Sequence, residues 1–118
     1  MEFNQYNTTV QQWIHTVLEN RETNADVVLE CCRDIIAYGR KTDDPKLMGF
    51  GFFYGGEIYY ELNDGAHFFH MMTEALTYLD RAEEWELVVR LLQFSGNRIH
   101  EQRKAMLALD YLYELLKD

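Results

Sequence analysis

The chain has 118 residues and a mass of 14.1 kDa, which is enough for one domain with a real core and too little for a second. It carries 11 Lys+Arg against 20 Asp+Glu, a net charge of −9, which repels phosphate backbones and anionic lipid heads and argues against nucleic-acid and membrane-surface roles. Apolar residues make up 47%, which argues against disorder, and the two cysteines are neighbours, which excludes a disulfide scaffold.

Residues 1–7 are polar and show no basic-then-apolar leader pattern, and the nearly apolar run 47–56 is too short to span a bilayer. A soluble cytoplasmic protein is expected. Thr8 or Thr9 is placed to cap a first helix reaching about residue 20, with Val10, Trp13, Ile14, Val17 and Leu18 at helical spacing. Asn24 is placed to cap a second helix through about residue 40, with Val27, Val28, Cys31, Cys32, Ile35 and Ile36 on one side. Asp44 followed by Pro45 marks the start of a third, which runs to about residue 62 and stops at Asn63-Asp64-Gly65. A fourth helix is predicted over about 66–79, a fifth over 84–102 and a sixth over 104–117. Strand signals are poor throughout, so the fold class is all-α.

Shifted by about 40 residues, the sequence matches itself. Gly56 falls on Gly96, Leu47 on Leu87, Tyr38 on Tyr78, Val28 on Phe68 and Ile35 on Ala75. The chain therefore reads as one domain, 1–118, of three helix pairs over about 8–42, 43–82 and 83–118. A glycine inside a helix costs about 1 kcal/mol against alanine. Two such costs at one register, Gly56 and Gly96, point to a helix crossing too tight for a Cβ. Gly49, Gly51 and Gly55 add softness, so the third helix is expected to bend or fray near its start.

Sites of chemistry are sparse. His67, His70 and Glu74 lie at i, i+3 and i+7, but Phe68, Met72 and Ala75 define the buried stripe and turn them toward solvent. A metal-dependent hydrolase built on His67 and His70 is the weakest reading, and no metal or cofactor is expected. Cys31 and Cys32 sit in an apolar stripe, where Glu30 and Asp34 would raise a thiol pKa rather than lower it.

The order Phe52, Gly55-Gly56, Tyr59, the turn Asn63-Asp64, then Met72 and Ala75-Leu76 resembles tetratricopeptide (TPR) repeats. Leu92, Ser95-Gly96, Ile99, Ala108, Leu112 and Leu115-Leu116 follow the same order in the next unit. Phe68 departs from the family's small residue and Ile99 from its aromatic, and the spacing exceeds the roughly 34 residues of the family. The runs Gly56-Glu57-Ile58-Tyr59-Tyr60-Glu61-Leu62-Asn63-Asp64, Trp85-Glu86-Leu87 and Ala108-Leu109-Asp110-Tyr111 are similar to the helical-repeat sensory region of diguanylate cyclases in gut Firmicutes.

This resemblance implies three stacked antiparallel helix pairs in a right-handed superhelix whose first helices line a concave side. It implies a non-catalytic, regulatory module of bacterial signalling that binds a peptide or protein segment. The residues carried over to that groove are Tyr54, Glu57, Tyr60, Arg90, Phe94 and Asn97, with Trp13, Ile14, Val17, Phe50 and Phe53 beside them. Tyr54, Tyr60 and Phe94 are expected to be partly exposed, and the acidic balance favours a basic or neutral ligand. The alternative is a homodimerisation module, because the sixth helix is apolar over more than one stripe: Met106, Leu107, Leu109, Tyr111, Leu112, Tyr113, Leu115 and Leu116.

Overall fold

The computed structural model describes residues 2–91 together with Glu114 and Leu116. Four helices are complete, α1 Thr8–Asn20, α2 Ala25–Lys41, α3 Pro45–Glu61 and α4 Gly65–Arg81, and a fifth, α5, is described over 85–91. Glu114 and Leu116 are helical and exposed. The rest of the predicted fifth and sixth helices, with Gly96 and the apolar C-terminal stripe, lies outside the described residues. No described helix is long and apolar enough to cross a membrane.

Each helix start is made by one short polar side chain. The side chains of Asn7, Asn24, Asp44 and Asp64 accept from the backbone N–H of Val10, Val27, Leu47 and His67, each the third helical residue. The first helix is therefore capped by Asn7 and not by Thr8 or Thr9. Both threonines fall inside the first turn.

Three of the turns share one chemistry. Asp43, Asn63 and Glu83 have φ of 51°, 57° and 57°, at intervals of 20 residues. The following N–H groups, of Asp44, Asp64 and Glu84, reach back to the carbonyls of Gly39, Tyr59 and Leu79. This is the Schellman arrangement, which satisfies the last carbonyls of one helix. Asp44 and Asp64 thus close one helix with their backbone and open the next with their side chain. Three-residue connections between helices of 17 residues leave each helix no path but back along its predecessor. Accordingly α1 packs on α2, α2 on α3 and α3 on α4.

The buried stripes follow the same regularity. α2 buries Val28, Cys32, Ile35 and Gly39, and α4 buries Phe68, Met72, Ala75 and Leu79, the same positions displaced by 40. α3 is different. Every residue from Leu47 to Gly56 is buried, as is Ile58, because α3 lies between α2 and α4 with α1 and α5 alongside.

Glycines make that enclosure possible. A Cβ at Gly51 would stand 2.6 Å from Ile36 Cγ1 and 3.1 Å from the Cys32 carbonyl oxygen, both on α2. A Cβ at Gly49 would stand 2.6 Å from Leu79 Cδ2, and one at Gly56 would stand 2.9 Å from Met72 Cε, both on α4. The expected fraying near the start of α3 does not occur: the helix is unbroken over Pro45–Glu61. Its glycines are sites of close packing, where side chains of the flanking helices occupy the space a Cβ would take.

Two stability predictions follow from this geometry. Gly51→Ala meets a backbone carbonyl and should cost about 1–3 kcal/mol by overpacking. Gly55→Ala meets the flexible end of Met71, Cε at 2.5 Å, and Cys32 Cβ at an ordinary 3.8 Å, and should be neutral or stabilising by up to about 1 kcal/mol through helix propensity. Urea unfolding followed by far-UV circular dichroism checks the contrast. Glu83 holds a left-handed conformation that costs an L-residue about 1–2 kcal/mol, partly offset in glycine by its greater loss of chain entropy. Glu83→Gly should therefore raise unfolding free energy by about 0.5–1 kcal/mol in the same assay.

Candidate functional site

α1, α3 and α5 present one side of the molecule, and residues 2–6 cross it. Leu18, Phe50, Tyr54, Glu86, Leu87 and Arg90 line a cleft of about 160 Å³ there, and Phe3 closes it at one side. Leu18 is 44% exposed, while Phe50 and Leu87 are buried at the base. The cleft thus combines an apolar floor with one carboxylate and one guanidinium at its rim.

Tyr54 does not stand open in the groove. It is 4% exposed, which corrects the expectation of a partly exposed aromatic. Its ring packs against Phe50 at 4.6 Å and Phe53 at 4.9 Å. Its hydroxyl accepts from Arg90 Nη1 at 3.3 Å. The physical reason lies in α3 itself, which is covered on so many sides that its aromatic residues fall into the core. Phe50 and Phe53 are buried for the same reason, Ile14 and Val17 are buried on the inward side of α1, and Trp13 is half-buried with its ring edge-on to Tyr38 of α2. All five serve the core more than a groove wall.

Glu57 is likewise engaged. Arg21 grips it with two nitrogens: Nε donates to Oε1 at 3.1 Å, and Nη2 donates to Oε1 at 2.7 Å and Oε2 at 3.0 Å. The guanidinium also lies over the Tyr54 ring, 4.9 Å from its centroid. Side-chain exposure is 31% for Arg21 and 13% for Glu57, so the pair is shielded from water on most sides. Tyr60, one turn on, is half-buried with its ring 5.5 Å from Phe68 of α4. Arg90 is half-buried over the Phe53 ring at 5.5 Å. Of the predicted site residues the structure therefore joins Tyr54 to Arg90, ties Glu57 to Arg21 and sends Tyr60 to the α3–α4 seam. Phe94 and Asn97 lie outside the described residues.

Several residues at this face were missed from sequence. Arg21 sits in the turn after α1 and has no motif around it. Phe3 and Tyr6 lie in a segment read as merely polar, although two aromatics before a cap residue are a packing signal. Phe3 meets Phe50 edge-on at 5.1 Å. The Tyr6 hydroxyl donates to Asp44 Oδ2 at 2.8 Å, and burial followed by that carboxylate pushes the phenol above its ordinary range. Lys46 completes the contact: its ammonium lies 4.9 Å from the Phe3 centroid, donates to the Glu2 carbonyl and pairs with Glu84 at 3.7 Å.

Burial pushes up both thiols, Cys32 further than Cys31, with Asp34 and Glu30 adding to the effect at Cys31. His67 is exposed, accepts or donates at Nδ1 with Asp64 Oδ2 at 2.8 Å, and stacks on Tyr59. The His67 backbone N–H, and then its side chain, hold the Asp64 carboxyl below its usual range, as befits a helix cap. Among the described residues no group of three or more His, Cys, Asp or Glu is placed to hold a metal ion. No protein-family model, curated protein or solved structure matches the chain.

The Arg21–Glu57 geometry gives a direct test. A double-mutant cycle of Arg21→Ala and Glu57→Ala, read by urea unfolding, should show a coupling of about 1–2 kcal/mol, the scale of charge-assisted bonds in partial shielding. A coupling under about 0.3 kcal/mol would place the pair with ordinary surface contacts.

Proposed function

We propose that this protein is a non-catalytic binding module of TPR-like helical-repeat architecture that recognises a peptide or protein segment on the face formed by α1, α3 and α5. The observation that carries the reading is the cleft between Leu18, Phe50, Leu87 and Arg90: an apolar floor with Glu86 and Arg90 at its rim. Apolar burial supplies affinity in such a site, and a few polar groups fix register. The recurrence of buried positions at an offset of 40 supports the repeat architecture. Tyr54 acts in this reading as a positioning residue, since its hydroxyl orients Arg90. Arg90 is suited to a carboxylate by a bidentate contact. The net charge of −9 favours a ligand that is otherwise neutral or basic. The sequence resemblance to diguanylate cyclase sensory regions favours a regulatory role in bacterial signalling, as a part that binds rather than reacts.

A random-peptide display selection on the whole chain, followed by calorimetry on the enriched peptides, tests this reading. Leu18→Ala should weaken the selected peptides about tenfold, or about 1.4 kcal/mol. Leu62→Ala, at a residue 56% exposed and away from the cleft, should leave affinity unchanged. Equal effects at the two positions, or a selection that enriches nothing, would remove the reading. Sedimentation over the same concentrations separates peptide binding from self-association.

A further inference from the structure

Residues 2–6 sit on the face where a ligand is proposed to bind, and they sit there as a ligand would. Phe3 enters beside the cleft as an aromatic anchor, edge-on to Phe50. Lys46 holds the main chain through the Glu2 carbonyl and covers the Phe3 ring. The Tyr6 hydroxyl donates to Asp44, and the Tyr6 N–H donates to the Phe3 carbonyl at 3.2 Å, closing a turn with an aromatic at each end. The two residues between, Asn4 and Gln5, are exposed and neutral. Among the described residues, the holds on the segment are thus made by aromatic rings, carbonyls and a hydroxyl, with no ion pair to its side chains.

We infer that residues 2–6 are an intramolecular occupant of this face, and that the partner taking their place is a peptide turn with aromatic residues three positions apart and uncharged residues between them. The inference rests on the peptide-binding reading above and narrows its ligand. Phe50 and Lys46 are the receptor side of the contact: one offers a ring edge, the other a cation that serves both ring and carbonyl. Asp44 accepts the second aromatic only if that residue is a hydroxyl donor, which favours tyrosine over phenylalanine there. The tether makes the internal copy a strong competitor. A segment joined by a short link is present at an effective concentration in the millimolar range. A free peptide of the same chemistry with a dissociation constant of order 0.1 mM would then be weakened about tenfold by the segment, in proportion to the open fraction.

The probe is a synthetic fluorescent peptide with the sequence of residues 1–7, titrated by polarisation against the whole chain and its Phe3→Ala variant. The variant should bind the peptide saturably and about tenfold more tightly than the parent chain. A second peptide carrying Phe3→Ala should bind neither. If the Phe3→Ala chain loses helicity, Tyr6→Phe serves instead: it keeps the ring, drops the bond to Asp44 and should raise affinity for the probe a few-fold. Equal affinity of parent and variant chains, or no saturable binding to a folded variant, overturns the inference. Peptides from the display selection tell the two failures apart. If they bind parent and variant equally, the occupant is wrong and the cleft reading stands. If none binds either chain, both fall.

Discussion

The structure depends on one constraint, the enclosure of α3. Ten successive residues of this helix, from Leu47 to Gly56, lie out of solvent, so it must be packed on nearly every side. A helix carrying large side chains all round would hold its neighbours apart. α3 avoids this with glycines that face opposite ways: Gly51 toward α2, Gly49 and Gly56 toward α4, and Gly55 toward both the Met71 tip of α4 and Cys32 of α2. Ile36, Leu79 and Met72 fill the spaces so created. Helix propensity is given up at four positions, and interdigitation with two neighbours is gained. Dense packing rewards that exchange, because a filled gap recovers contacts that a void forfeits.

The turns set the frame in which those gaps meet their partners. Three connections place a left-handed residue at intervals of 20, and each returns the next N–H to the same depth in the preceding helix. Equal turns make equal helices, and equal helices keep their buried stripes in register. Val28, Cys32, Ile35 and Gly39 on α2 therefore have counterparts on α4 at Phe68, Met72, Ala75 and Leu79. A longer or shorter turn would slide the glycines of α3 past the side chains that occupy them. The turn after α1 lacks the left-handed residue and is made instead through Asn20, whose carbonyl accepts from Thr23 and Asn24.

The face formed by α1, α3 and α5 inherits its properties from this packing. Because α3 is drawn inward, its aromatics belong mainly to the core, and only their polar edges influence the surface. Tyr54 reaches Arg90 by its hydroxyl and Arg21 by its ring. Glu57 is neutralised by Arg21, which leaves Arg90 and Glu86 as the charges at the cleft. The N-terminal segment adds a further layer through Phe3, Lys46 and Tyr6. A face that supplies its own occupant is one on which an outside partner must compete.

The helical architecture was legible in the sequence because it is written in local chemistry. Asn24 and Asp44 announce helix starts by residue type, Pro45 fits a first turn, and the 3.6-residue spacing of apolar positions marks the inward stripes, whereas Asp64, read only as the end of one helix, proves also to cap the next. The Met72 side chain fills the space that a Cβ at Gly56 would take, while Gly96, the other half of the predicted pair, lies outside the described residues. What the tertiary structure alone decided was which way each side chain of α3 faces. Its core stretch 47–56 carries no preferred inward side, and burial of Tyr54 became visible only once α1, the turn after it and α5 were in place. The pairing of Arg21 with Glu57 and the seating of Phe3 on Phe50 join residues 36 and 47 positions apart. No local rule connects positions at such separations. Their meeting follows from the way successive helices fold back on one another, a property of the assembled chain and not of any one segment.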